Sequence, residues 1–308
     1  MDTKPKIKLN VHMYIFLNII LITILTDFLC YFTNWEYYIC LFSSTIITLF
    51  FNIITKNKIF NIKSDFDKYD ILPIIIICLL SIFKLARLDD FIDAITYHLT
   101  GQKNPFIDNI NNNFLPSSAF FFPLGDRMNY IFVHFLGNRF GLFLTYYALI
   151  IVYYQLKNVL NILIPNLSTF KRILFPTILI ASNSVIIYAG SYFIDNFSAI
   201  LLFELIYIFL QNINLLENKK YLYISTFILG CSVGIKLSNM FLALPIIIFL
   251  LIKNIKQSGF KTLKNIKTYD YIFLILTAIL PFAVYLLKGY VQTGNPFFPL
   301  LNNIFHSP

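Results

Sequence analysis

Long runs of apolar residues, separated by short polar segments, recur along the chain. Several runs reach the ~17 residues that a helix needs to cross the roughly 30 Å hydrocarbon core of a bilayer. Within a run such as "PIIIICLLSIF" the apolar residues are continuous, whereas the strands of a membrane barrel alternate polar and apolar residues. The pattern predicts about nine membrane-spanning helices, at residues 11–32, 36–55, 71–87, 141–157, 173–190, 196–212, 221–235, 238–253 and 270–287.

The aromatic-rich segment 114–137 is not counted among these spans, because the polar stretch "PLGDRMN" interrupts it. We expect this segment to lie on the membrane surface as an interfacial, amphipathic element. The first apolar run, which follows "MDTKPKIKLN", continues for about 20 residues without a small-residue cleavage site. We interpret it as a retained first span rather than a signal peptide.

Composition indicates the same class of protein. The chain has 308 residues, of which 58% are hydrophobic and 13% are charged, and its mean hydropathy is +0.72. A soluble domain carries about 25% charged residues, so this chain has too few to cover a water-facing surface. We predict an all-α, polytopic transmembrane helical bundle. The cysteines lie inside apolar runs and behave there as small hydrophobic residues, so we infer no disulfide and no zinc site from Cys30, Cys40, Cys78 and Cys231.

The net charge of +9 fits cytoplasmic loops, where Lys and Arg accumulate, and we predict no nucleic-acid partner. With nine spans, the basic residues of the N-terminus and four loops share one side, here called the lysine-rich side: Lys4, Lys6, Lys8, Lys56, Lys58, Lys63, Lys68, Lys157, Lys171, Arg172, Lys219, Lys220, Lys253, Lys256, Lys261, Lys264 and Lys267. The opposite side, here called the acidic side, collects Glu36, Asp89, Asp90, Asp93, Asp108, Asp126 and Asp195. The pattern predicts a multi-pass protein of the cell (inner) membrane, with a cytoplasmic N-terminus and a periplasmic or extracellular acidic side.

The longest loop predicted on the acidic side, residues 88–140, begins with the ionisable cluster "DDFIDAITYHL". In a helix, Asp90, Asp93 and Tyr97 would share one face, because they are three and four residues apart. One interpretation is that these residues only mark the membrane surface, where tyrosine is common. The other is catalytic, because a carboxylate held beside a bilayer suits removal of a proton from a sugar or lipid hydroxyl.

The motif "IDAITYHL" resembles the first external loop of the GT-C fold glycosyltransferases, integral membrane enzymes that use polyprenyl-phosphate sugars. The protein O-mannosyltransferase-like and aminoarabinose-transferase-like branches, and a bacterial subgroup of such proteins, are the most similar. These enzymes place an Asp at the start of the loop, often followed by Glu, with an aromatic residue four positions on. Here Asp93 is followed by Ala94, and Tyr97 and His98 come four and five positions later. The Glu that often follows this Asp in the mannosyltransferase pattern is missing here, and Asp89 or Asp90 could take its place.

Four later segments are similar to the same family in the same order: "FFFPLGDRMNYIFVHFLGNRFGL", "GSYFIDNFSAILL", "LGCSVGIKLSNMFLALP" and "TGNPFFPLLNNIF". The resemblance covers residues 85–308, so we expect an N-terminal pair of transmembrane helices (1–69) followed by a GT-C-like membrane domain (70–308). Members of the subgroup are expected to have further spans. We therefore expect the chain to be truncated at its C-terminus, or to work with a partner subunit if it is naturally short.

The resemblance implies a transferase that moves a sugar, with inversion, from a polyprenyl-phosphate donor to an acceptor hydroxyl on the acidic side. It implies Asp93 as the general base. Substrate-binding roles are expected for Asp90, Tyr97, His98, Arg127, Asp195 and Lys236. The cation that stabilises the leaving phosphate is expected to be Lys236, Arg127, Arg139 or His98, or a divalent ion held by Asp93 and Asp195.

Simpler interpretations stand beside these roles. Lys236 can snorkel at the end of a span, Asp195 can cap the following helix, and Arg139 can anchor a helix at the interface. The alternative functions are a membrane transporter or lipid flippase, a polysaccharide polymerase or ligase of the cell envelope, and a non-catalytic assembly subunit. Charges that crowd at span ends favour surface chemistry over transport, which usually places ionisable groups at the midplane of spans.

Overall fold

A computed structural model describes residues 7–33, 35–64, 66–85, 123–140, 142–182, 194–211, 219–258, 267–298 and 300–306. Nearly all of this chain is helical. The helices are α1 (Val11–Thr33), α2 (Tyr37–Ile59), α3 (Ile71–Leu85), α4 (Leu124–Phe140), α5 (Phe143–Leu163), α6 (Thr169–Ile180), α7 (Asp195–Leu210), α8 (Lys219–Ile235), α9 (Asn239–Ser258), α10 (Thr268–Ile279), α11 (Ala283–Thr293) and the short α12 (Asn302–Phe305). Short 3₁₀ turns occupy Lys68–Asp70 and Leu280–Phe282. Two four-residue strands, β1 (Ile7–Asn10) and β2 (Phe60–Lys63), pair in parallel, with Ile7 opposite Phe60.

The prediction of apolar helices is confirmed, because each predicted span falls on a helix over its described part. Within the described residues, three helical stretches are long and apolar enough to cross a membrane: Val11–Thr33, Tyr37–Ile54 and Thr268–Thr293. Asn239–Phe249 is apolar but shorter. Over its described residues the protein is therefore helical with three candidate membrane spans, and the nine spans that the sequence predicted are not supported there.

The distribution of side chains is that of a protein whose surroundings are apolar. Large hydrophobic side chains point outward on several helices, with Phe42 69%, Ile53 81% and Phe241 73% exposed. Charged residues such as Asp27 and Asp70 are fully buried. An extended exposed apolar surface marks a contact with membrane or protein. This arrangement agrees with the membrane assignment.

Helix α1 belongs to the central core rather than to a separate layer. Its residues Met13, Phe16, Ile20 and Ile24 are buried in the same hydrophobic cluster as residues of α5, α7 and α8. Apolar burial contributes about 25 cal/mol per Å², so α1 is a main contributor to the bundle. The division at residue 69 stays a prediction, but α1 is packed into the region that follows it.

Helix α4 differs from the expected interfacial segment. The stretch "PLGDRMN" does not interrupt a helix but begins one at Leu124, and residues 123–129 are all buried. The helical geometry breaks later, at Gly137, where φ is 76°. The polar residues of this stretch do not face a membrane surface. The first two turns of α4 are enclosed by the bundle, and Arg127 there has a protein partner, Asp27, that local sequence does not reveal.

Two similar clusters hold helix ends together at positions predicted on the lysine-rich side. In the first, Asp70 accepts hydrogen bonds from Lys157 Nζ (2.7 Å to each oxygen), from Tyr153 Oη (2.6 Å) and from the backbone N–H of Asp67 (2.7 Å). We call Asp70, Lys157 and Tyr153 the Asp70 cluster. It is almost fully buried, with side-chain exposures of 9% for Lys157 and 0% for Asp70.

The second cluster repeats this chemistry at the start of α10. Asp270 accepts from Lys219 Nζ (2.6 Å), Tyr223 Oη (2.7 Å) and the backbone N–H of Lys267 (2.8 Å). The Asp270 bond raises the pKa of Lys219 above its usual value. In both clusters a helix-initiating Asp is held by a Lys and a Tyr four residues apart on another helix. Each cluster therefore fixes the start of one apolar helix against the body of the bundle.

Helices α8 and α10 also approach closely along their length. A Cβ atom at Gly230 would lie 2.0 Å from the carbonyl oxygen of Ala278, so only glycine fits there. Thr226 and Thr277 join their hydroxyl groups across the same interface at 2.7 Å. Small residues and hydroxyl bonds are the usual means of packing helices in a membrane.

Candidate functional site

The Asp195–Lys236 ion pair lies where α7 begins and α8 ends. Asp195 is the first residue of α7, where the positive end of the helix dipole favours a carboxylate, and Lys236 directly follows α8. Lys236 Nζ donates to Asp195 Oδ1. The two side chains are 43% and 33% exposed, so the pair remains open to a ligand.

A buried hydrogen-bond network lies at the same helix ends. The side-chain amide of Asn239 donates to the backbone carbonyl of Ser232 (2.8 Å), to its hydroxyl (3.0 Å) and to the hydroxyl of Ser198. Asn239 begins α9, Ser232 lies near the end of α8, and Ser198 lies in the first turn of α7. The network therefore joins three helices and fixes the backbone that carries the Asp195–Lys236 pair.

A second charged group lies deeper, between α1, α4 and α11. Arg127 donates to Asp27 Oδ1 from Nε (2.9 Å) and Nη2 (2.8 Å), and Tyr285 donates to the other oxygen of Asp27. We call Asp27, Arg127 and Tyr285 the Asp27 cluster. The guanidinium also lies over the rings of Tyr37 and Tyr130, 5.1 and 4.9 Å from their centroids.

Burial makes the Asp27 cluster a structural element. The side chains of Arg127 and Asp27 are only 4% and 1% exposed. Burial lowers the pKa of the Arg127 guanidinium, but the negative charge of Asp27 more than offsets this, and the pKa lies above its usual value. A buried charge without a partner is strongly destabilising. Arg127 is therefore held as a fixed positive charge.

The two charged groups are neighbours because Gly125 allows close packing. A Cβ atom at Gly125 would lie 2.9 Å from Cβ of Ile194 and 3.1 Å from Cγ2 of Ile235. Ile194 precedes Asp195, and Ile235 precedes Lys236. The first turn of α4, which carries Arg127, therefore packs against the backbone on both sides of the Asp195–Lys236 pair.

Three of the predicted site residues, Arg127, Asp195 and Lys236, are brought to the same region. Asp90, Asp93, Tyr97 and His98 lie outside the described residues, and so does the side chain of Arg139. Among the residues that the structure describes, no three His, Cys, Asp or Glu side chains form a metal-binding group. A divalent ion between Asp93 and Asp195 stays a prediction.

Sequence analysis missed two members of this region, Asp27 and Tyr285. Asp27 stands in the apolar run "ITILTDFLCYF". An ionisable residue inside a span is costly without a partner and usually faces the interior of the bundle. That rule would have singled out Asp27, but pattern alone could not pair it with Arg127, which is 100 residues away along the chain.

The arrangement can bind an anionic group. A half-exposed ammonium presents a positive charge, and the N-terminus of α7 adds backbone N–H donors beside it. Asn196, in the first turn of α7, is 7% exposed, and its side-chain nitrogen has no hydrogen-bond partner in the described part of the chain. A phosphate could replace Asp195 as the partner of Lys236. Both side chains are partly exposed, so this replacement leaves no buried charge without a partner.

Comparison with known protein families, with curated proteins and with solved structures finds no match.

Proposed function

We propose that this protein is an integral membrane glycosyltransferase that moves a sugar from a polyprenyl-phosphate donor to an acceptor hydroxyl. The observation that supports this most is the half-exposed Asp195–Lys236 pair, which lies on the buried network of Asn239 and beside the Asp27 cluster. The order of family-like motifs in the sequence adds to it. The proposed site faces the acidic side.

Nine spans, with the N-terminus in the cytoplasm, form part of the proposal. The Asp70–Lys157, Asp270–Lys219 and Asp195–Lys236 pairs each join residues that this topology places on the same side. Lys157 and Lys219 meet Asp70 and Asp270 on the lysine-rich side. Strands β1 and β2, which also pair, are predicted on that side as well. An error of one span between two partners would have placed them on opposite sides.

In the proposed reaction, the oxygen of the acceptor hydroxyl attacks the anomeric carbon of the lipid-linked sugar. Its proton passes to the carboxylate of Asp93, acting as general base. The bond between the anomeric carbon and the phosphate oxygen breaks, and polyprenyl phosphate leaves with the electron pair, so the configuration inverts. Lys236 stabilises the charge that develops on the leaving phosphate.

Arg127 has a narrower part in this proposal than the resemblance implies. Arg127 donates hydrogen bonds from Nε and Nη2 to Asp27, and the whole residue is only 3% exposed. Because Asp27 neutralises its charge, Arg127 holds the start of α4 in place. Direct contact with the donor phosphate is assigned to Lys236, with Asp90, Tyr97 and His98 shaping the rest of the site.

The test is transfer of labelled sugar from a panel of polyprenyl-phosphate donors in membranes that contain the protein. We expect transfer by the wild type, its loss in Asp93→Asn, and normal transfer in Asp108→Asn. Asp108 is a matched control because it is an acidic residue in the same predicted loop. Equal transfer by wild type and Asp93→Asn would refute the role of Asp93, and no transfer from any donor would refute the enzyme.

A second candidate function, transport or lipid flipping, has one specific observation in its favour. Glu204 lies in the middle of α7, is 1% exposed, and accepts a hydrogen bond from Gln155 Nε2 at 2.9 Å. The sequence indicated that charges crowd at span ends, and Glu204 is an exception to that pattern. A buried carboxylate inside a span is typical of proton or substrate pathways. Movement of a labelled polyprenyl-phosphate sugar across proteoliposomes, lost in Glu204→Gln, would favour this candidate.

A further inference from the structure

A groove of about 780 Å³ lies between the first turns of α3 and α6, and it shares no lining residue with the site described above. Both helices pack against α5, and the groove occupies the space between them. Its volume falls within the roughly 300–1,000 Å³ of small-molecule sites. The walls are apolar and consist mainly of Ile71, Leu72 and Ile75 from α3 and Phe170, Ile173 and Leu174 from α6.

The mouth of the groove is cationic. Lys68 lines it, with its Nζ 5.0 Å from the ring centroid of Tyr69. Lys171 and Arg172 lie in the first turn of α6, but they are not among the residues that line the groove. Arg172 donates to the carbonyl oxygens of Pro165 and Leu167, which leaves its positive charge in place.

Acidic groups at the mouth do not cancel this charge. Asp70 is already paired with Lys157 inside the bundle. Asp67 accepts the backbone N–H of Tyr69 at 3.3 Å and is not among the lining residues. Among the described residues that line the groove, Lys68 is therefore the charged one, and its ammonium complements an anionic group.

The groove runs from a polar mouth into an apolar interior. Lys68 and Tyr69 lie in the 3₁₀ turn that precedes α3, and Thr169 begins α6. Both helices therefore start here, at positions predicted on the lysine-rich side. The walls extend from Phe170 to Thr177 along α6, about 10 Å at 1.5 Å per residue. A molecule that fits must have a charged head and an apolar tail aligned with the helices.

We propose that this groove binds an anionic phospholipid, with its phosphate at Lys68 and an acyl chain between α3 and α6. The lipid would hold α3 and α6 together at the end where each enters the membrane. The proposal depends on the chain being a membrane protein, but not on the chemistry proposed for the acidic side.

The experiment uses the full chain in detergent, with phosphatidylglycerol and phosphatidylcholine added in equal amounts, and measures retained lipid by native mass spectrometry. We expect wild type to retain phosphatidylglycerol preferentially. Lys68→Gln should reduce this preference about fivefold, the factor that corresponds to about 1 kcal/mol for one lysine at a membrane surface. Lys220→Gln, which removes an exposed lysine predicted on the same side, should leave the preference unchanged.

A second pair of variants tests the apolar part of the groove. Ile75→Trp should fill it and displace both lipids, whereas Leu79→Trp, one turn further along α3, should not. The two positions are 48% and 51% exposed, and Leu79 is not among the lining residues. Equal retention of the two lipids by wild type, or equal effects of Lys68→Gln and Lys220→Gln, would overturn the proposal. A change of oligomeric state in Ile75→Trp alone would also overturn it, because a second copy of the chain would then occupy the groove.

Discussion

The Asp70–Lys157 and Asp195–Lys236 pairs use the same chemistry in opposite surroundings. Lys157 and Asp70 are 9% and 0% exposed, whereas Lys236 and Asp195 are 43% and 33% exposed. The buried pair has further donors, because Tyr153 and the backbone of Asp67 complete the shell around Asp70. The exposed pair has one charge-to-charge hydrogen bond.

The difference in exposure suits the buried pair to stabilising the fold and the exposed pair to binding a ligand. Breaking a buried pair leaves an uncompensated charge and costs about 3–5 kcal/mol, whereas an exposed pair contributes about 0–1 kcal/mol. The Asp70 cluster therefore stabilises the fold but cannot reach a ligand. The Asp195–Lys236 pair can exchange its partner at little cost, and this is what a site for a charged substrate requires.

The largest effect on stability is expected from Asp70→Asn. The change leaves the ammonium of Lys157 buried without a counter-charge, at a cost of about 3–5 kcal/mol. The measurement is the midpoint of thermal unfolding in detergent. Asp67→Asn is the control, because Asp67 lies in the same 3₁₀ turn but is half-buried and caps one N–H; it should lose only about 1 kcal/mol.

A double variant shows whether the unpaired charge is the cause. Asp70→Asn combined with Lys157→Met should be more stable than Asp70→Asn alone, because it also removes the orphaned ammonium. If Asp70→Asn unfolded at the wild-type temperature, the buried pair would not stabilise the fold more than the exposed pair does, and the contrast between them would be wrong.

Asp27→Asn shows whether burial, or the predicted side of the membrane, determines how much an ion pair contributes to stability. Asp27 and Arg127 are buried like the Asp70 cluster, but Arg127 belongs to the loop predicted on the acidic side. Asp27→Asn should therefore destabilise by about 3 kcal/mol, slightly less than Asp70→Asn because the rings of Tyr37 and Tyr130 still cover the guanidinium. Thermal unfolding is again the measurement. A loss below 1 kcal/mol would mean that position relative to the membrane, and not burial, separates the pairs.

The sequence predicted the helices well because hydrophobic length and loop charge are local signals. The break between spans at 236–237 matches the turn between α8 and α9. The sequence did not predict the buried partners, because Asp27 meets Arg127 and Tyr285 only after three distant helices pack. It also placed "PLGDRMN" at the interface, since a polar stretch looks the same whether water or a buried counter-charge solvates it. Asp195 and Lys236 were singled out because the segments that carry them resemble a known family, and their roles in binding stay predictions.

A smaller loss is expected from Gly230→Ala. The added methyl group would meet the carbonyl of Ala278, and relief of the overlap by moving α10 should cost about 1–3 kcal/mol. Helix α8 lies between Lys219, which begins it and is predicted on the lysine-rich side, and Lys236, which follows it and is predicted on the acidic side. Separation of α8 from α10 should loosen the Asp270 cluster before the Asp195–Lys236 pair, and hydrogen exchange near residue 270 should increase first. Gly234→Ala is the matched control on the same helix, where the nearest atom is the terminal Cδ2 of the Leu124 side chain at 3.2 Å rather than backbone.

The smallest effect on stability, together with a large effect on function, is expected from Lys236→Gln. Loss of a half-exposed pair should shift the free energy of unfolding by less than about 1 kcal/mol, while sugar transfer should fall about 100-fold or more if the ammonium stabilises the leaving phosphate. Lys236→Arg keeps the charge and should retain part of the transfer, and Lys220→Gln should change neither quantity. Both measurements are made on the same purified protein, so a folding defect cannot be mistaken for a catalytic one. If Lys236→Gln unfolds as easily as Asp70→Asn, the pair belongs to the framework of the fold, and the anionic head of the donor must be bound elsewhere on the acidic side.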